Sequence, residues 1–374
     1  MEDTSEASRL RKVLASAPCT LGYIKKSQGN WTTSSEESLE LLLDTHFPGN
    51  TTTDQLTVAA VDVQPSEIAN QIVTDSRIRW ALKSFKPYKS PGPDMVSPAE
   101  LQAVAERLTP WLKELYTGII NLSYIPTKWR ETKVVFIPKA GKPSHIGPKD
   151  FRPISLSSFL LKTLERLIDS YLRSSIDKRL LSSRQHAYSK GKSTETALHD
   201  LVSFIEGSLD VGEYTMVSFL DIEGAFNNVE PNAIITAMSS FGVHESICRL
   251  VENLLTQRRI SATLGSTNLK RFVGRGTPQG GVLSPLLWNL AMNGILLSLE
   301  ESRVKVVAYA DDVAIAVRGR FPSTLRDILQ RALNITARWA DESGLGVNPS
   351  KTELVLFCRD HKLPAVVPIT LGGT

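Results

Sequence analysis

Apolar residues recur every three or four positions in several long stretches of this chain, a spacing that places them on one face of an α-helix. Such helices are predicted near SLELLLDTHF, over IRWALKSF, from Pro98 to about Leu122, and through SFLLKTLERLIDSYLR and TETALHDLVSFIEGSL. The pattern returns in AIITAMSSFG, HESICRLVENLLT, SPLLWNLAMNGILLSLE and LRDILQRALNITARWADESG, the last closed by Gly344. Shorter runs rich in β-branched and aromatic residues predict strands: VVFIP (Val134–Pro138), YTMVSFLD ending on Asp221, and TELVLFC, with ISATL and KRFVGRG as strand or turn. Between them lie a Gly/Pro/Lys loop running to Pro153 and a loop at SSRQHAYSKGKST. Residues 1–75 read as a loosely organised lead-in with one amphipathic helix. Helices interleaved with an antiparallel hairpin imply an α+β fold.

That hairpin is VVAYADDVAIAV, residues 306–317, where two apolar runs flank adjacent carboxylates at Asp311 and Asp312. Asp is a poor strand former, so the pair is either a solvated turn or a device that concentrates negative charge. A second carboxylate, Asp221, closes a β-rich run before Gly224 and Phe226; such an Asp often only caps the next helix. If Asp221 lies beside the hairpin, three aspartates from adjacent strands could hold Mg²⁺, a hard cation that takes oxygen ligands together with substrate phosphates.

The 374 residues leave room for a large core, and the formal net charge of +4 hides an uneven distribution. Residues 126–192 hold 15 Lys/Arg against 5 Asp/Glu, whereas the remainder is net acidic. A basic segment of this kind is either a solvated face or a surface for a polyanion. Cys19, Cys248 and Cys358 lie far apart, which indicates neither a disulfide framework nor a zinc site. No apolar run reaches membrane-spanning length and no secretory signal opens the chain, so an intracellular protein of the cytoplasm or nucleus is expected.

Two glycine-bearing motifs have different weight. Gly191-Lys-Ser-Thr194 copies the tail of a phosphate-binding P-loop but has His186 where that motif needs Gly, and it lies between two helical patterns. In GRGTPQGGVLSPLLWNL, a Gly-rich turn with Gln279 precedes a helix starting near Ser284–Pro285, where close backbone approach and a helix N-terminus would suit a phosphate.

In order, the chain reads KSPGPD, FIPKAGK, KDFRPISL, QHAYSKGKSTETA, FLDIEGAF, GTPQGGVLSP, AYADD and GLGVNPSKTELVLF. This succession, from about Ala81 to Phe357, resembles the reverse transcriptases of non-LTR (LINE-type) retrotransposons. The resemblance implies a right-hand polymerase fold: lead-in 1–75, fingers and the start of the domain over 76–215, and a palm of antiparallel strands on helices over 216–374. It implies RNA-directed DNA synthesis on an RNA template from a DNA primer with dNTPs, and no membrane partner. Asp221, the carbonyl of Ile222 and Asp311 would ligate two Mg²⁺ ions, or Mn²⁺ in their place, with Asp312 supporting the site. Lys139 and Arg152 match residues that meet the triphosphate and incoming base. Phe226 matches the aromatic that rejects a 2′-hydroxyl, Gln279 a residue touching the sugar, and Lys351 a proton donor to pyrophosphate. The family continues past Phe357 into a primer grip and a thumb, so a chain ending at Thr374 is expected to lack most of the thumb and to polymerise weakly. Two alternatives remain at this stage: an inactive remnant that binds nucleic acid, and an RNA-dependent RNA polymerase, which Phe226 disfavours.

Overall fold

The computed structural model describes residues 22–53, 67–142, 144–360, 364 and 367–371; Cys19 lies outside them. In chain order its strands are β1 (Glu131–Pro138), β2 (Phe151–Leu156), β3 (Tyr214–Glu223), β4 (Arg258–Leu264), β5 (Thr267–Val273), β6 (Lys305–Tyr309), β7 (Asp312–Gly319), β8 (Gly346–Val347) and β9 (Glu353–Phe357). They form two sheets, one ordered β2-β1-β4-β5 and one ordered β6-β7-β3, with β8 and β9 one after the other along the free edge of β3. The α+β expectation therefore holds.

In the larger sheet β3 is central, and its apolar run serves two cores at once. Successive strand residues point to opposite faces. Met216 and Leu220, with Val306, Val313 and Ile315, join the main core built with helices Phe159–Ser175, Pro231–Ser240, Glu245–Thr256 and Ser284–Glu301. Val217, Val307, Ala314 and Ala316 face the other way, onto Ala197, Leu201 and Ile205 of helix Thr194–Asp210. Ser158 and Ser193 cap two of these helices, each accepting a backbone N–H, as their residue types favour.

Among the described residues the smaller sheet has one apolar face covered. Val134, Phe136, Phe151, Ile260 and Val273 pack on Ile24, Leu39, Leu42, Leu43 and Phe47. Helix Ser35–His46, the one helix expected within residues 1–75, supplies most of that cover. The other face is open along β1, where burial alternates and Val135 and Ile137 are exposed. β4 runs parallel to β1 after more than a hundred intervening residues.

Three further expectations change. The loop predicted up to Pro153 contains β2, whose Phe136↔Pro153 pairing puts the proline on a sheet edge, where a missing N–H is tolerated. The long helix from Pro98 is two, Pro98–Ala103 and Ala105–Leu122, parted at Val104 with φ −108° and ψ 9°. β3 runs two residues past Asp221, because Ile222 and Glu223 pair with β8. Among the described residues no helix is long and apolar enough to cross a membrane.

Candidate active site

The hairpin β6–β7 closes with the pair Tyr309↔Asp312, leaving Ala310 and Asp311 as a two-residue turn. Ala310 has φ 57°, a left-handed value, while Asp311 does not; a positive φ at the first central residue is the pattern of a type II′ turn, which ordinarily carries Gly there. Along β7 the register with β3 runs from Tyr214↔Gly319 to Asp221↔Asp312. The turn thus delivers Asp311 and Asp312 to the end of β3 that carries Asp221, as the sequence suggested.

The carboxyls act on one another's ionisation. Burial pushes the Asp311 carboxyl above its ordinary value and the neighbouring Asp221 adds to this, while Arg152 and Lys139 pull the other way. Asp312 is raised by desolvation of its carboxylate, then by Asp311 and Asp221. Like charges that disfavour one another's ionisation concentrate negative charge, suited to a hard divalent cation. Asp221 is met by Lys351, whose Nζ lies 2.9 Å from Oδ2. Among the described residues no three His, Cys, Asp or Glu side chains are gathered tightly enough to form a ready cage for an ion. Ile222 has its side chain in the core, and its backbone pairs with Val347 of β8.

Positive charge converges from the smaller sheet. Lys139 follows β1 immediately, its N–H donating to the Asp150 carbonyl, and Arg152 lies exposed on β2. Partial burial lowers the Lys139 ammonium below its ordinary value, and Lys142, Lys351 and Arg152 lower it further. Arg152 of the smaller sheet and Lys351 after the larger one are thus close enough to Lys139 to act on its charge. Gln279 meets the smaller sheet: Ser155 N–H of β2 donates to its carbonyl at 2.8 Å.

Phe226 lies on the short turn of helix Ala225–Asn228 just after β3. Its ring packs 5.7 Å from Trp288 and meets Tyr188 edge-on at 6.2 Å. The backbone beneath it is tied to GTPQGG, since Thr277 N–H donates to the Phe226 carbonyl and Gly276 N–H to Val229 at 2.8 Å. Gly276 has φ +70°, and a Cβ there would stand 2.3 Å from the Asn227 carbonyl oxygen, so only glycine fits this approach. Arg258, buried beside it, donates to the carbonyls of Arg275 and Gly276; burial brings its guanidinium down to about 10.

One expectation about this loop is corrected. The N-terminus of helix Ser284–Glu301 does not face a ligand, because the buried carboxylate of Glu165 accepts Val282 N–H at 2.6 Å and also Leu283 N–H. The Glu165 carboxyl, raised above its ordinary value by burial, already occupies the place that would suit a phosphate. The GKST segment serves helix capping at Ser193, while Lys192 donates to the carbonyls of Ser183 and Gln185. Glu165, Gln185, Tyr188, Trp288 and Arg258 drew no role from the sequence. A buried charged or amide residue on an apolar helix face or in a loop was the available signal, but burial is visible only after folding.

Residues 137–367 match the family described as "Reverse transcriptase (RNA-dependent DNA polymerase)". Over 299 residues the chain is 31% identical to the "Probable RNA-directed DNA polymerase from transposon BS" of Drosophila melanogaster, covering 78% of this chain and 33% of that protein. It is 28% identical over 293 residues to the "RNA-directed DNA polymerase from mobile element jockey" of Drosophila funebris, covering 76% and 32%. It is 27% identical over 354 residues to the "Retrovirus-related Pol polyprotein from type-1 retrotransposable element R1" of Bradysia coprophila, covering 93% and 34%. The chain spans about a third of the length of these curated relatives. With its aspartates gathered on one hairpin and strand and its motifs in order, the chain belongs to the reverse transcriptase family of non-LTR retrotransposons.

Proposed function

We propose that this chain is the RNA-directed DNA polymerase domain of such an element, extending a DNA primer with dNTPs on an RNA template. The observation that carries the reading is the Asp221↔Asp312 pairing, with Asp311 on the adjoining turn and with Lys139, Arg152 and Lys351 nearby. Anionic and cationic groups facing one another suit a reaction in which a triphosphate meets divalent ions. Asp221 and Asp311, with the Ile222 carbonyl, are the groups to hold Mg²⁺ or Mn²⁺, and Asp312 supports them. Two bound ions would supply charge that favours deprotonation of the primer 3′-hydroxyl and steadies the leaving pyrophosphate.

The remaining work falls to the chain's own residues. Lys139 and Arg152 bind and orient the triphosphate so that its α-phosphorus faces the primer hydroxyl. Phe226 lies under the sugar and excludes a 2′-hydroxyl, with Gln279 beside it. Lys351 is the proton source on the leaving-group side. In this reading the larger sheet is the palm and the smaller sheet the fingers.

The test is extension of a DNA primer on an RNA template with Mg²⁺, comparing dNTPs with rNTPs and wild type with Asp311→Asn. Incorporation of dNTPs that the substitution abolishes is expected. Preferential use of rNTPs would point to RNA synthesis, and binding of RNA without any incorporation would overturn the polymerase reading.

A further inference from the structure

We infer that Gln185 is a positioning residue that holds the turn carrying Asp311 and, through Trp288, fixes its place relative to Phe226; this rests on the polymerase reading above. The strained residue of the turn is Ala310, in a backbone region that L-residues other than Gly rarely adopt. Something must hold it there. Residues 184–186 run parallel to β6, with Ala308 N–H donating to the Arg184 carbonyl at 2.9 Å and His186 N–H to the Ala308 carbonyl at 2.8 Å. This brings the Gln185 side chain, 4% exposed, against the turn.

One amide then satisfies both backbone groups of Ala310. Its Oε1 accepts from Ala310 N–H at 3.1 Å, and its Nε2 donates to the Ala310 carbonyl at 3.3 Å. The same Oε1 accepts Ala187 N–H at 2.9 Å, so two backbone donors fix which end of the amide is oxygen. The Ala310 carbonyl takes a second donor, the buried Trp288 Nε1, at 3.0 Å. Trp288 packs on Phe226, Phe226 meets Tyr188, and Tyr188 follows Ala187 in the chain. The contacts close into a ring that joins the carboxylate turn to the aromatic under the sugar. Turn and aromatic therefore keep one geometry, set by a residue buried against the turn.

The experiment compares wild type, Gln185→Ala and Gln185→Glu, each with and without Ala310→Gly, by steady-state primer extension and by amide hydrogen exchange across 306–313. Gln185→Ala is expected to lower kcat by about tenfold to a hundredfold with little change in the KM for dNTP, as displacement of reacting groups does. It should also raise the use of rNTPs relative to dNTPs and speed exchange of the Ala310 N–H. Ala310→Gly should restore much of the lost kcat, because Gly enters the left-handed region freely and no longer needs the clamp. A merely structural Gln185 would show no such rescue. If the alanine variant melts below the assay temperature, Gln185→Glu, which keeps the shape and acceptor oxygen but loses the donor, carries the comparison. An unchanged kcat, or a loss that Ala310→Gly does not relieve, overturns the inference. A wild type that incorporates no dNTP defeats the polymerase reading alone; exchange at Ala310 then decides this one, and unchanged exchange in Gln185→Ala sinks it.

Discussion

Asp221 on β3 and Asp312 on β7 stand directly opposite one another, the last pair of a register that begins at Tyr214↔Gly319. A slip of one residue would send every side chain of β7 to the wrong face. Here the slip is opposed on both sides, because Val313, Ile315 and Val317 belong to one core and Ala314 and Ala316 to another. The packing of apolar residues thus sets the separation of the carboxylates.

Replacing Asp311 by Asn should lower dNTP incorporation by about a thousandfold or more, the scale of several kcal/mol of lost charge stabilisation. The fold should survive, since the turn is held through Ala310 and not through the Asp311 side chain. Single-nucleotide incorporation alongside a thermal melt checks both parts. A variant that retains most of its activity would remove Asp311 from the site.

The raised carboxyls at Asp311 and Asp312 give a pH dependence of stability with a definite sign. The folded chain holds these protons more tightly than the unfolded chain does, so their contribution is favourable below the ordinary Asp value of 3.8 and is lost as pH rises through the raised folded value. At neutral pH both are a liability. Asp312→Asn should therefore raise the melting temperature at pH 7, with the gain shrinking toward pH 4. Melts of both proteins across that range test it, and an equal or lower melting temperature at pH 7 would contradict the electrostatic account.

Glu165→Leu leaves the N–H groups of Val282 and Leu283 buried without their acceptor and should cost about 1–3 kcal/mol of stability, measured by urea denaturation. Glu165→Gln keeps an acceptor oxygen and should lose less. If the Leu variant is as stable as wild type, Glu165 does not anchor the GTPQGG loop.

Two left-handed glycines separate backbone strain from close approach. At Gly265, with φ +60° and open space around it, alanine should cost about 1–2 kcal/mol. At Gly276, where the added Cβ meets the Asn227 backbone, the cost should reach about 2–5 kcal/mol. Comparing the two denaturation midpoints decides whether GTPQGG is held by the turn after β3.

Phe226→Ala should raise rNTP incorporation relative to dNTP by about tenfold or more, read from competing single-nucleotide additions. An unchanged ratio would make the ring a core aromatic resting on Trp288 and nothing more.

What the sequence determined by itself was local. The period of apolar residues defined the helices, the apolar runs around Asp311–Asp312 defined the hairpin, and the order of motifs defined the family. β2 escaped because Pro153 reads as a breaker, and only its place on a sheet edge makes it harmless. Tertiary structure decided the contacts between distant residues: Lys351 with Asp221 at a separation of 130, Gln185 with Ala310 at 125, and Glu165 with Val282 at 117. Gln185 and Glu165 look ordinary in their own stretches, and nothing in the stretch around Lys351 names Asp221 as its partner. A hydrogen bond or ion pair depends on the partner that folding brings within about 3 Å, and no periodicity of the chain encodes that partner.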